Sequence, residues 1–76
     1  MLDKIKAVIV EAVNVDEALI TPEASLKEDL GLDSLAAIEL SMELETAFDV
    51  TIEDEELEAL VTVQDIMDLL EKKQAA

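Results

Sequence analysis

The sequence predicts an all-α protein: a small four-helix bundle of three main helices and one short helix, with a long first loop. Three observations predict it. Apolar residues recur at three- and four-residue spacing in three separate segments, the period of a helix face. Ser, Thr and Asp stand where helical segments open, as caps do. The β-branched clusters Ile9-Val10 and Val61-Thr62-Val63 are too short and isolated to build a sheet. Apolar residues make up 51% of the chain and aromatics 1%, so the core must be aliphatic around one ring, Phe48. Residues 1–76 are expected to form one domain, because a chain this short has room for only one core.

The first helix is expected over residues 2–13, where Leu2, Ile5, Val8, Ile9, Ala12 and Val13 mark one face. Asn14 suits its end. Residues 14–25 lose this period and contain Thr21-Pro22, which predicts a connection longer than usual. Val15, Leu19 and Ile20 should fold back over the core. Ser25-Leu26-Lys27-Glu28 matches a capping box and should open a short turn, with Leu26 and Leu30 pointing inward. Gly31, the one glycine, closes that turn because it reaches positive φ without a Cβ penalty.

The second helix is expected over 34–48, and its two faces differ in purpose. At about 100° per residue, Ala37, Leu40, Leu44, Ala47 and Phe48 share one face, with Ser41 at its edge. Leu35, Ile38 and Met42 share the opposite face, flanked by Glu39 and Glu45. One core cannot bury both. The longer face with the ring is assigned to the core, and the other becomes an exposed apolar strip rimmed by carboxylates, suited to partner docking. The alternative is that the strip packs under the loop at 15–25.

Asp49 through Glu53 read as a turn containing Ile52, and residues 54–60 as a short helix with acids at its N-terminal end. Thr62-Val63-Gln64-Asp65 resembles a capping box with Asp in place of Glu, opening a last helix through about Lys73. Val63, Ile66, Met67, Leu69 and Leu70 should face inward, and Lys72 and Lys73 suit the negative helix end. Ala75-Ala76 should fray.

Composition excludes much chemistry. There is no Cys, His, Trp, Tyr or Arg, so an autonomous active site would have to rest on carboxylates, Lys and hydroxyls. That weighs against an enzyme. Twenty acids against five lysines leave a net charge of −15, with nothing positive between Lys27 and Lys72. Such a surface repels nucleic acid and anionic membranes and favours basic partners. No targeting signal or membrane span is visible, which points to a cytoplasmic protein without stable membrane insertion. The acids at 53–58 lack the alternation of a calcium-binding loop, so no specific metal site is expected.

The stretch Asp29-Leu30-Gly31-Leu32-Asp33-Ser34-Leu35 organises the rest. Asp33 and Ser34 both suit a helix start, and an ordinary cap is the bland reading. Two carboxylates and a hydroxyl exceed what one cap needs, however, and the helix they open has the surplus apolar face. Asp33-Ser34-Leu35, preceded by Glu28-Asp29-Leu30-Gly31 and followed by Glu39-Leu40, resembles the attachment signature of acyl carrier proteins. Ser25-Leu26, Leu44-Glu45, Phe48-Asp49, Ile52, Asp54-Glu55-Glu56 and Thr62-Val63-Gln64-Asp65 extend the resemblance over nearly the whole chain.

The resemblance implies that Ser34 receives 4′-phosphopantetheine through a phosphodiester. The donor is coenzyme A, and a separate phosphopantetheinyl transferase with Mg²⁺ makes the bond. Acyl groups then ride as thioesters on the thiol of the arm, delivered between enzymes of fatty acid biosynthesis by a monomeric carrier. Asp33 is implied to face a basic group on the transferase, with Leu35 beside it. Leu35, Ile38, Glu39, Met42 and Glu45 are implied to form the surface on which enzymes with basic patches dock. Leu26, Leu44, Ile52, Leu57, Leu60, Ile66 and Leu69 are candidates for an acyl cavity, each also a plain core residue.

The chain departs from the family pattern at Ala36, Ser41 and Thr46, and at Glu53, where proline often starts the third helix. Two other readings remain at this level: a carrier for polyketide or aminoacyl groups, and an acidic interaction module with no prosthetic group.

Overall fold

The computed structural model describes residues 2–75, Ala75 by its backbone only. Four α-helices follow in order: α1 (Leu2–Val13), α2 (Ser34–Phe48), α3 (Asp54–Glu58) and α4 (Val63–Ala75), with a 3-10 turn at Glu17–Leu19 between the first two. The first two helices run between the expected bounds, and each is followed by a left-handed residue. Asn14 (φ 53°) donates its N–H to Val10 O at 2.9 Å, and Asp49 (φ 54°) donates to Glu45 O. Asn and Asp tolerate this conformation better than other residues with a Cβ, which is why both helices stop there. The last helix continues through Ala75, two residues beyond expectation. The fraying expected of Ala76 lies outside the described residues.

The core is aliphatic, as composition requires. Ile5 and Ile9 of α1 meet Leu40, Leu44 and Phe48 of α2 and Val63, Ile66 and Leu70 of α4. The Lys4 ammonium sits 4.6 Å from the centre of the Phe48 ring, giving the one aromatic a cationic lid. Ser41 is more than an edge residue. It is buried, and its Oγ donates to Ile38 O at 2.7 Å, so the hydroxyl enters the core without an unmet bond. Met67 and Leu69 are only half-buried, because α4 turns just Val63, Ile66 and Leu70 fully inward.

The long first loop contributes as much to the core as a helix does. Ile20, Ala24, Leu26, Leu30 and Leu32 are all buried. Val15 is half-buried against the core, but Leu19 is a correction: it is 50% exposed on the 3-10 turn, which Asp16 caps through Oδ1 to Ala18 N–H at 2.9 Å. The short turn at 25–30 also closes differently from the sequence pattern. Ser25 Oγ accepts from Glu28 N–H at 3.2 Å, but Asp29 rather than Glu28 returns the bond, accepting from Ser25 N–H at 2.7 Å.

A short antiparallel bridge joins this loop to the start of α4, pairing Ser25 with Thr62. Leu26 N–H donates to Val61 O at 2.9 Å, while Val63 and Gln64 donate to Ala24 O and Pro22 O at 3.1 and 2.9 Å. Asp65 N–H reaches Thr62 Oγ1 at 3.3 Å, which completes the partners for the first turn of α4. In return Asp65 Oδ2 accepts from Val61 and Thr62 N–H at 2.9 and 3.1 Å. The capping box read at 62–65 is therefore present, and it is also the dock for the loop.

Those two backbone bonds, the one from Val61 first, hold the Asp65 carboxyl below the usual carboxylate range. A carboxyl depressed in the folded state stabilises the fold above its unfolded pKa, and that contribution fades as pH falls through the folded value. Asp65→Ala should therefore cost about 1 kcal/mol near neutral pH, a modest figure because the carboxylate faces solvent. The gap in thermal midpoint from the unmutated protein should narrow below pH ~4. Thermal unfolding of both proteins across pH 3 to 7 checks it; an unchanging gap refutes it.

Candidate attachment site and docking face

Gly31 turns the chain at φ 67°, in the left-handed region. A Cβ built there would meet nothing within 4 Å, so the position needs glycine for its dihedral and not for space. Leu30 and Leu32 are buried on either side, and Leu32 N–H donates to Leu26 O at 2.9 Å. Anchored in this way, the chain leaves the core at Asp33 and enters α2 at a set angle.

Asp33 is the cap. Its backbone is extended (φ −90°, ψ −176°), and its Oδ1 accepts from Ala36 N–H at 2.8 Å. The second carboxylate of the motif, Asp29, is spent on the preceding turn. Ser34 is the first residue of α2 and is exposed. Its hydroxyl, its N–H and the N–H of Leu35 have no hydrogen-bond partner among the described residues. The ordinary cap and the spare hydroxyl are thus two different residues. A serine oxygen open to solvent, beside free N–H groups at the positive end of a fifteen-residue helix, fits an anionic phosphodiester.

On the same helix, Leu35, Ile38 and Met42 are 65%, 48% and 54% exposed, so the strip does not pack under the loop at 15–25. Glu39 beside it is exposed. Glu45 is half-buried, and its Oε2 accepts from Ile52 N–H at 2.8 Å.

A groove of about 460 Å³ opens next to Ser34. Leu26, Leu32, Ala37, Ile38, Leu57 and Leu60 give it an apolar lining, with Lys27, Asp33, Asp54 and Glu58 also on its walls. Of the seven apolar candidates, Leu26, Leu57 and Leu60 line it. Leu44 and Ile66 lie in the sealed core, Ile52 packs half-buried against that core, and Leu69 is half-buried on α4 away from the groove. Sequence reasoning missed Leu32, Ala37 and Ile38 as lining. Leu32 sits outside any periodic segment, and helix periodicity puts Ala37 and Ile38 on different faces of α2. The groove straddles the boundary between those faces.

The far wall is α3, five residues with none buried. It starts without proline: Glu53 N–H donates to Glu56 Oε1 at 2.9 Å, a bond proline could not make. Lys73 Nζ reaches the same Oε1 at 2.8 Å, tying α3 to α4. Lys73 first, then the Glu53 N–H, holds the Glu56 carboxyl below its ordinary range.

The family described as "Phosphopantetheine attachment site" matches residues 3–70, and the chain belongs to it. The prosthetic group of such a domain is covalent 4′-phosphopantetheine. Among curated proteins, the chain is 49% identical over 76 residues to "Acyl carrier protein" of Thermosynechococcus vestitus, covering 100% of this chain and 94% of the relative. It is 52% identical over 73 residues to "Acyl carrier protein" of Syntrophobacter fumaroxidans, covering 96% of this chain and 90% of that one.

Gly31→Ala should destabilise the fold by roughly 1 to 2 kcal/mol, the cost of a left-handed residue with a Cβ. Chemical denaturation measures it. A neutral result would show that the turn can relax to negative φ.

Proposed function

We propose that the protein is a carrier and not an enzyme: it bears acyl intermediates of fatty acid biosynthesis on an arm attached to Ser34, in the cytoplasm. The observation that supports this most directly is the division of labour at the start of α2, where Asp33 Oδ1 makes the cap and the Ser34 hydroxyl is left exposed without a partner. Names and lengths of the relatives agree with the reading. When bound, the arm supplies a terminal thiol on which acyl groups are held as thioesters.

Each residue then has a physical task. Ser34 Oγ provides the oxygen of the phosphodiester, and the N–H groups of Ser34 and Leu35 stabilise its negative charge. Asp33 faces the basic group of the phosphopantetheinyl transferase while it keeps its cap, since a carboxylate has lone pairs for both. Leu35, Ile38 and Met42 supply contact area for synthesis enzymes, and Glu39 and Glu45 steer their basic patches. The groove lined by Leu26, Leu57 and Leu60 receives the acyl chain. Leu44 and Ile66 lie in the core and Ile52 packs against it, so a chain would reach them only if the core parts, and Leu69, away from the groove, takes no part.

Incubation with coenzyme A, Mg²⁺ and a phosphopantetheinyl transferase should add the mass of the arm to the native protein and nothing to Ser34→Ala. A native protein that gains no mass would return the chain to a plain interaction module. Gain of mass by the Ala variant would move the attachment point elsewhere.

Glu39→Lys should slow association with a basic synthesis enzyme about ten-fold at low salt and leave the helix content unchanged. The difference should shrink as salt is added. Stopped-flow association at two ionic strengths reads both effects, and equal rates at low salt would remove the steering role.

A further inference from the structure

Glu45 differs from Glu39, its fellow on the strip's rim. Glu39 is exposed and meets no donor among the described residues. Glu45 is half-buried one turn before the end of α2, and its Oε2 takes the Ile52 N–H at 2.8 Å across seven residues. The bond joins α2 to the 49–53 link that leads into α3. That link's other ties to α2 are backbone bonds at its very start, from the N–H groups of Asp49 and Val50 to Glu45 O, the second at 3.2 Å. Beyond it stands α3, with no buried residue, yet Asp54, Leu57 and Glu58 form one wall of the groove beside Ser34. A short helix without a buried anchor takes its place from the polar ties that reach it and the segments flanking it. At mid-helix there is the Lys73–Glu56 pair at 2.8 Å; on the C-terminal side Val61 is bonded to Leu26 and Asp65, and on the N-terminal side there is the link held by Glu45.

We infer that Glu45 is a positioning residue: by accepting from Ile52 N–H, it pins the entry of α3 to α2 and sets the groove wall that faces Ser34. The inference deepens the carrier reading and rests on it for its purpose, but the bond belongs to the unmodified protein. The role needs an acceptor oxygen and not a negative charge. Steering of basic partners needs the charge and not this bond. Glutamine at 45 keeps the oxygen and removes the charge, whereas alanine removes both. A partly buried N–H left without an acceptor favours opening of the segment around it.

The test uses the unmodified full chain and its Glu45→Gln and Glu45→Ala variants, compared by amide hydrogen exchange and methyl NMR. In the Ala variant the Ile52 amide should exchange about ten-fold faster or more, and the Leu57 and Leu60 methyl signals should shift. In the Gln variant both should stay close to native. The Ile9 amide in α1 should hold its rate throughout. An unchanged Ile52 rate in the Ala variant overturns the inference, as does a Gln variant that exchanges as fast as the Ala one. A parallel rise at Ile9 and Ile52 overturns it too, since that is general loss of stability. Loading of the native protein by the transferase separates the two readings: failure there refutes the carrier, while the Ile52 rates judge Glu45.

Discussion

One hydrogen bond decides the character of this molecule: the Asp33 carboxylate accepting from Ala36 N–H at 2.8 Å. A helix start presents backbone donors that need acceptors, and a serine at such a start commonly turns its own oxygen to them. Here the preceding residue has already met that need. Ser34 is left with a hydroxyl that has no structural duty, on the rim of the molecule and at the positive end of its longest helix. Much of the surrounding architecture serves to place Asp33. Gly31 turns the chain, Leu30 and Leu32 fasten the turn to the core, and the loop behind it is laced to the start of α4.

Scarcity of positive charge shapes the surface in a similar way. With five lysines against twenty acids, the fold cannot neutralise itself, and it uses two of those cations at structural points. Lys4 covers the only aromatic ring, and Lys73 ties down the short third helix. None lies on α2. The exposed strip Leu35, Ile38 and Met42 is therefore bordered by carboxylates without local compensation, the pairing of a negative field with apolar contact area on which the proposed docking rests. Carrier function asks for both, because a shuttle must bind many enzymes and leave each of them.

Residue patterns alone located most of the architecture and little of the groove. The bounds of α1 and α2 were legible because apolar spacing and a left-handed-tolerant residue agree at each end. The two-faced nature of α2 was legible because its second apolar row could not share the same core. Leu19, by contrast, is as apolar as Ile20 beside it, and nothing in its residue type reveals that it points away from the core. The 3-10 turn sends neighbouring side chains to opposite sides, burying one and exposing the other. The capping pattern at 25–28 points to Glu28 as the returning acceptor, whereas the turn as built brings Asp29, one residue on, to Ser25 N–H.

Local order settled what this protein is: helix period, caps, one obligatory glycine and a serine after an aspartate are all short-range features, and each acts within a turn or two of its own position. Tertiary structure decided what surrounds that serine. The 460 Å³ groove takes lining from residues as far apart in the chain as Leu26 and Leu60, and the Glu45 carboxylate meets Ile52 only because the chain folds back after α2. Contacts across such distances depend on how helices and loops pack. The spacing of residues along a single element leaves no trace of them.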